Sequence, residues 1–251
     1  MLALIGIVAT VWLAVTDRLG LYIHPRYFEF TVIMAVIGAV LVVAAFAFTP
    51  LDELDADGEL DEHDGHGHDH PSERRRPTRL SMLRAALGVA IVAGATIALL
   101  VLPPATLTSA TATQRSINSA SSSLDQDAPA LVGGDTSQFS VKDWALLIRQ
   151  NPDADYYADK AVDVVGFVTE SPDDPDVFYV ARFAVTCCAV DAQPVGVPVY
   201  LPGWQEQYTA DEWVAASGTF APNPGSSSAE QLLLMPEDLA VTEQPSQPYV
   251  F

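Results

Sequence analysis

The sequence predicts an α+β membrane protein, with three N-terminal transmembrane helices followed by a mainly-β, OB-like small barrel. Three observations carry this expectation. Uncharged apolar runs dominate residues 1–104, interrupted by a charged insert at 50–84. A Ser-, Thr- and Ala-rich stretch over 105–138, with Gly133-Gly134, reads as a flexible linker. Residues 139–251 then alternate short apolar segments with turn-forming clusters, as a small β domain does.

The first apolar run, Met1 to about Thr16, carries no charge and ends at Asp17-Arg18. At ~1.5 Å per residue it falls slightly short of a ~30 Å hydrocarbon core, so a signal anchor or an interfacial helix is the alternative reading. The second, Phe30–Leu51, is uncharged between Glu29 and Asp52 and is long enough to cross. The third runs from Ala85 to about Leu102 and stops at Pro103-Pro104, which cannot continue a helix. Lys and Arg set the orientation of such spans. Arg74, Arg75, Arg76, Arg79 and Arg84 crowd the start of the third, whereas the 17–29 loop has only Arg18 and Arg26. The expectation is a multi-pass protein of the cell membrane, in contact with lipid, with loop 50–84 cytoplasmic and the domain at 139–251 extracytoplasmic.

Charge excludes one class of partner. Of the chain's formal charge of −20, the part after residue 104 carries 5 basic and 20 acidic side chains. Nucleic-acid binding needs Lys and Arg to displace counterions from phosphate, so no nucleic acid is expected as a partner.

Within the soluble part, Phe139–Gln150 has helical spacing with Ser140 as a candidate N-cap. Strands are predicted at Lys160–Thr169, Val177–Cys187, Val195–Leu201, Glu212–Phe220 and Gln231–Thr242. Gly166 and Gly218 inside strands suggest a strongly bent sheet, hence a small barrel, with a half-open sandwich as the alternative.

Two stretches carry chemistry. Residues 52–70 gather His63, His66, His68 and His70 with nine carboxylates. Imidazoles two and three residues apart, with glycines between, suit a transition-metal ion such as zinc. A solvated charge run is the alternative. The second stretch is Arg182 to Ala192, which contains the adjacent Cys187 and Cys188 and, shortly after, Asp191. In an extended strand neighbouring side chains point to opposite faces. Should the strand break there, both sulfurs and the Asp191 carboxylate converge on one site for a soft ion. The alternatives are a strained vicinal disulfide, which is easily reduced, and two small buried residues at a strand end. Arg182 lowers a thiol pKa only if it folds back. His24 lies on the same predicted side of the membrane, and pairing it with the cysteines requires the domain to fold back toward the bilayer. Metal candidates are therefore Cys187, Cys188 and Asp191 with His63, His66, His68 and His70, and ligand-binding candidates are Arg182, Asp191 and His24. The soluble part has no histidine to activate a cysteine, no phosphate-cradling glycine loop and no serine elbow, so no enzyme activity is predicted.

Several pieces occur together in order: Leu21-Tyr22-Ile23-His24-Pro25-Arg26-Tyr27, Phe178 to Phe183, Cys187-Cys188-Ala189-Val190-Asp191-Ala192-Gln193-Pro194, Trp213 to Phe220, and the terminal Pro248-Tyr249-Val250-Phe251. In these the whole chain resembles an uncharacterised bacterial family of membrane-anchored, predicted permease subunits. Val190 stands where that pattern usually has alanine, a conservative departure. The resemblance implies an accessory subunit partnered with a multi-span permease, and it implies no substrate. Thiol redox or stress sensing, and a purely structural permease-docking module, are the alternative functions.

Overall fold

The structure, a computed structural model, describes residues 2–48, 88, 90–94, 97–98, 106–119, 136–158, 160–225 and 230–251. The chain divides into two compact units. One contains Met1–Leu19 and Arg26–Pro104; the other contains Gly20–Pro25 and Ala105–Phe251. The short segment 20–25, which links the first two apolar helices in sequence, is thus part of the C-terminal domain.

In the first unit, α1 (Leu2–Val15) and α2 (Phe28–Phe48) are strongly apolar, and their one charged residue is Glu29 in the first turn of α2. They pack on each other where Ile7 meets Gly38; a Cβ at Gly38 would lie 3.4 Å from Ile7 Cδ1. Small residues permit such close approach between membrane helices. Most side chains of α2 face outward, among them Phe30, Val40, Leu41 and Val43, each more than 60% exposed. Among the described residues one stretch, Pro25–Ala45, is long and apolar enough to cross a bilayer, with a mean hydropathy of 2.4. α1 has 14 residues and is shorter than a span requires. Of the third predicted span, residues 88, 90–94 and 97–98 are helical; the rest lies outside the described residues, as do His63, His66, His68 and His70.

In the second unit, α3 (Ser109–Arg115) and α4 (Val141–Gln150) accompany six strands: β1 (Val162–Glu170), β2 (Val177–Ala184), β3 (Gln193–Tyr200), β4 (Trp213–Pro222), β5 (Leu232–Val241) and β6 (Tyr249–Val250). Ser140 caps α4 as the sequence predicts. Its side chain accepts from the Asp143 N–H, and the Asp143 carboxylate accepts from the Ser140 N–H, closing a capping box. Trp144, Leu147 and Ile148 on one face of α4 are buried with Val180, Val197 and Leu234 of the sheet.

The strands run β1-β4-β5-β3-β2-β6 in hydrogen-bonded order, and β1 also pairs with β2. β3 and β5 run parallel, as do β2 and β6; the other pairings are antiparallel. β1 manages two neighbours by changing partner along its length. Residues 162–167 pair with β4, and residues 167–170 pair with β2. Gly166 sits at the change-over, where a Cβ would come within 2.5 Å of the Ala181 carbonyl oxygen. Gly218 lies at the register shift between β4 and β5, and a Cβ there would meet the Met235 carbonyl oxygen. Both glycines let backbones approach more closely than any side chain permits.

Three sequence expectations are corrected. The second predicted strand extends to Cys187, but β2 ends at Ala184. A sixth strand, β6, lies in the terminal Pro-Tyr-Val-Phe stretch, where two residues are too few to show periodicity. Residues 106–119, expected as part of a flexible tether, instead pack into the domain. Ala112 is fully buried, and the buried Asn118 side chain donates to the Gly196 carbonyl and accepts from its N–H at 2.9 and 3.0 Å.

Replacing Gly166 or Gly218 with alanine should cost about 2–4 kcal/mol, because backbone rather than a movable side chain stands in the way. Thermal unfolding of the detergent-solubilised chain measures this. A change under ~0.5 kcal/mol in both variants would refute the close-approach account.

Candidate metal centre

The candidate site is the loop at 185–192, which joins β2 to β3 in a hairpin. Val185 still pairs with the C-terminal strand, its N–H donating to the Val250 carbonyl at 2.9 Å. The chain then bends. The Asp191 N–H donates to the Cys188 carbonyl at 2.9 Å, closing a turn over 188–191. The Asp191 carboxylate reaches back across this turn. Its Oδ1 accepts from the Thr186 N–H at 3.2 Å, and its Oδ2 accepts from Cys187 and Cys188 at 2.7 and 3.3 Å. One side chain therefore supplies the acceptors that a continued strand would have supplied, and the alternation of side chains stops here.

The consequence is convergence. Sγ of Cys187, Sγ of Cys188 and a carboxylate oxygen of Asp191 all lie within 4.8 Å of one another. Ligand atoms of a tetrahedral zinc site sit roughly 3–4 Å apart, given bonds of ~2.0–2.3 Å. The 4.8 Å limit within which the trio lies is somewhat above that range. A carboxylate offers about four acceptor positions. With three taken by backbone N–H groups, one is left on Oδ1 for an ion. Both cysteines are free thiols; Cys187 is exposed and Cys188 half-buried. They are neither a strained disulfide nor core packing, two of the alternatives the sequence left open.

The Cys187 thiol is pushed above its usual pKa. Its hydrogen bond with Cys188 is the first cause; burial and the negative charge of Cys188 and Asp191 add to it. A cation placed among the three groups removes that repulsion and favours the thiolate.

His24 approaches the loop through its backbone. Ile23 and Cys188 form an antiparallel bridge, in which the His24 N–H donates to the Cys187 carbonyl at 3.0 Å and the Ala189 N–H donates to the Tyr22 carbonyl at 2.8 Å. The His24 ring meets Phe251 edge-on, centroids 4.7 Å apart, and supplies no ligand atom to the trio. Leu21 packs against the core cluster containing Phe167, Phe183 and Tyr249. The segment 20–25 thus docks on the edge of the cysteine loop through a single β-bridge.

Arg182 lies away from the thiols. Its guanidinium stacks 5.4 Å from the Trp213 ring centroid and donates to the Gln247 carbonyl at 3.4 Å. Burial lowers its pKa. Arg115, which the sequence did not single out, donates to the Ala192 carbonyl and holds the far end of the loop. A larger cavity, about 530 Å³, lies elsewhere between α3 and the β1–β2 turn, lined by Ile117, Glu170, Asp173, Tyr179 and Glu230. There the Tyr179 hydroxyl donates to Glu230 at 3.0 Å; burial first, and then the Glu230 charge, keep it protonated.

These features define a two-domain protein with an apolar N-terminal part and a C-terminal sheet domain that carries a candidate thiolate–carboxylate centre. Residues 1–118 match the DUF1980 N-terminal domain and residues 135–251 the DUF1980 C-terminal domain. Together the two take in all but residues 119–134, and the chain belongs to the DUF1980 family. No curated protein matches it. Among solved structures it is similar to a crystal structure described as an aspartyl-tRNA synthetase from Leishmania major Friedlin, at 14% identity and a TM-score of 0.22. That likeness covers 45% of this chain and 23% of the other.

Removing the first cause of the raised Cys187 pKa should lower it. In Cys188→Ala, alkylation of Cys187 by iodoacetamide should reach its half-maximal rate at lower pH than in Cys187 of the parent chain, where Cys188 is reported separately by mass spectrometry. An unchanged or higher midpoint would show that the neighbouring thiol does not control Cys187.

Proposed function

We propose that the protein is a membrane-anchored accessory subunit of a transport system, whose extracytoplasmic domain holds a metal ion at Cys187, Cys188 and Asp191. The observation that carries the reading is the convergence of two sulfurs and a carboxylate on a loop clamped by the segment between two apolar helices. Two soft sulfurs with one hard oxygen suit zinc, or a comparably thiophilic ion, better than calcium or magnesium. The domain is a small closed barrel of OB type, in this reading. The order β1-β4-β5-β3-β2 with its return pairing to β1 supports it, as do the two glycines at tight approaches.

The docked segment also supports the multi-pass topology. Residues 20–25 belong to the same unit as residues 105–251, so both lie on one side of the membrane. Once α2 crosses, the chain must cross again before residue 105 to return. The remaining apolar run, Ala85 to Leu102, is where that crossing fits. The arginines at 74–84 then stay in the cytoplasm, and the metal centre faces outward. Neither α1 nor α2 carries an ionisable residue along its apolar core, so a conduit for the ion belongs to a partner, a multi-span permease that the outward apolar faces of α2 fit.

Two measurements test this. The purified full chain should hold close to one equivalent of zinc, and a Cys187→Ser, Cys188→Ser double variant should hold essentially none. Equal, sub-stoichiometric metal in both would sink the centre. Reporter fusions in the 52–84 loop and after Phe251 should report opposite sides of the membrane. The same side for both would overturn the topology.

A further inference from the structure

Two thiolates and one carboxylate oxygen leave a tetrahedral ion one ligand short. One described residue stands next to Cys187 from outside the loop. Ile23 is bridged to Cys188, and the next residue out, His24, lies beside Cys187. The His24 backbone is already fixed there by its 3.0 Å bond to the Cys187 carbonyl. The ring rests edge-on against Phe251, so ligation requires it to turn about χ1 toward the two sulfurs.

We propose that His24 is the fourth ligand of the centre, so that a bound ion staples the segment between α1 and α2 to the cysteine loop. The inference rests on the metal reading above and deepens it, naming both the completed ligand set and its mechanical effect. Without the ion, the segment is held by two backbone hydrogen bonds at the bridge and by Leu21 in its socket, with a further long bond from Gln247 to the Gly20 carbonyl at 3.5 Å. With it, a metal–imidazole bond joins the same segment to the cysteine loop. The segment continues directly into α2 through Pro25–Tyr27. Loading of the centre is thereby transmitted to the end of a membrane helix, the part of the chain best placed to touch a permease.

Cobalt(II) is the probe, added to the full chain in detergent. The parent chain should show thiolate-to-cobalt charge transfer in the near ultraviolet and the strong visible bands of a four-coordinate ion. His24→Phe keeps an aromatic ring against Phe251 but offers no nitrogen. It should retain the charge-transfer band, lose at least half of the visible intensity, and bind cobalt at least tenfold more weakly. Parent-like visible bands and affinity in His24→Phe would overturn the role of His24 while leaving the cysteine centre standing. Absence of charge transfer in the parent chain would instead overturn the metal reading itself, and this proposal with it. A measurement on the unaltered protein covers the case in which the variant fails to fold. Zinc should slow hydrogen exchange at the His24 and Ala189 amides at least tenfold, and no change at either would refute the staple.

Discussion

The arrangement depends on one small piece of β pairing, the bridge between Ile23 and Cys188. Two backbone hydrogen bonds hold it, a modest net contribution of about 1 kcal/mol each. Its importance lies in what it joins. The pairing partners are 165 positions apart in sequence, one between two apolar helices and the other in the far hairpin. The pairing sets the cysteine loop beside a segment that no local feature of the hairpin could provide.

The loop itself shows how a single carboxylate redirects a strand. Asp191 accepts three successive backbone N–H groups and so replaces the ladder that β2 gives up after Ala184. Two neighbouring side chains, which a pleated strand would send to opposite faces, end up side by side. Asp191 thus shapes the loop and keeps a carboxylate oxygen within 4.8 Å of both sulfurs. Arg115 and Val250 hold the two ends from elements remote in sequence.

Much of the fold was legible in the sequence. The cap at Ser140, the five longer strands and the two glycines at tight approaches all follow from local chemistry that acts over a few residues. Three things were not legible, each for a physical reason. β6 has only two residues, and α3 is a run of Ser, Ala, Thr and Gln with no apolar face wide enough to read as a packed helix. Their order comes from tertiary partners such as the buried Asn118 and Tyr249, whose contacts cross long stretches of chain. The Cys-Cys-Asp trio was visible as residue types, but its convergence hinged on where β2 stops, and strand ends are set by competing hydrogen bonds rather than periodicity. Arg182 drew attention as the nearest cation in sequence. Strand geometry sends it to Trp213 instead.

Because residues 20–25 pack on the edge of the cysteine loop, the C-terminal sheet domain is not self-sufficient when cut from them. A fragment starting after the third apolar run would leave the Leu21 socket empty and the Cys187 carbonyl and the Ala189 N–H without these partners. Exposed strand edges of this kind recruit other strands. Such a fragment would gain a reason to self-associate, through a surface that carries two free thiols.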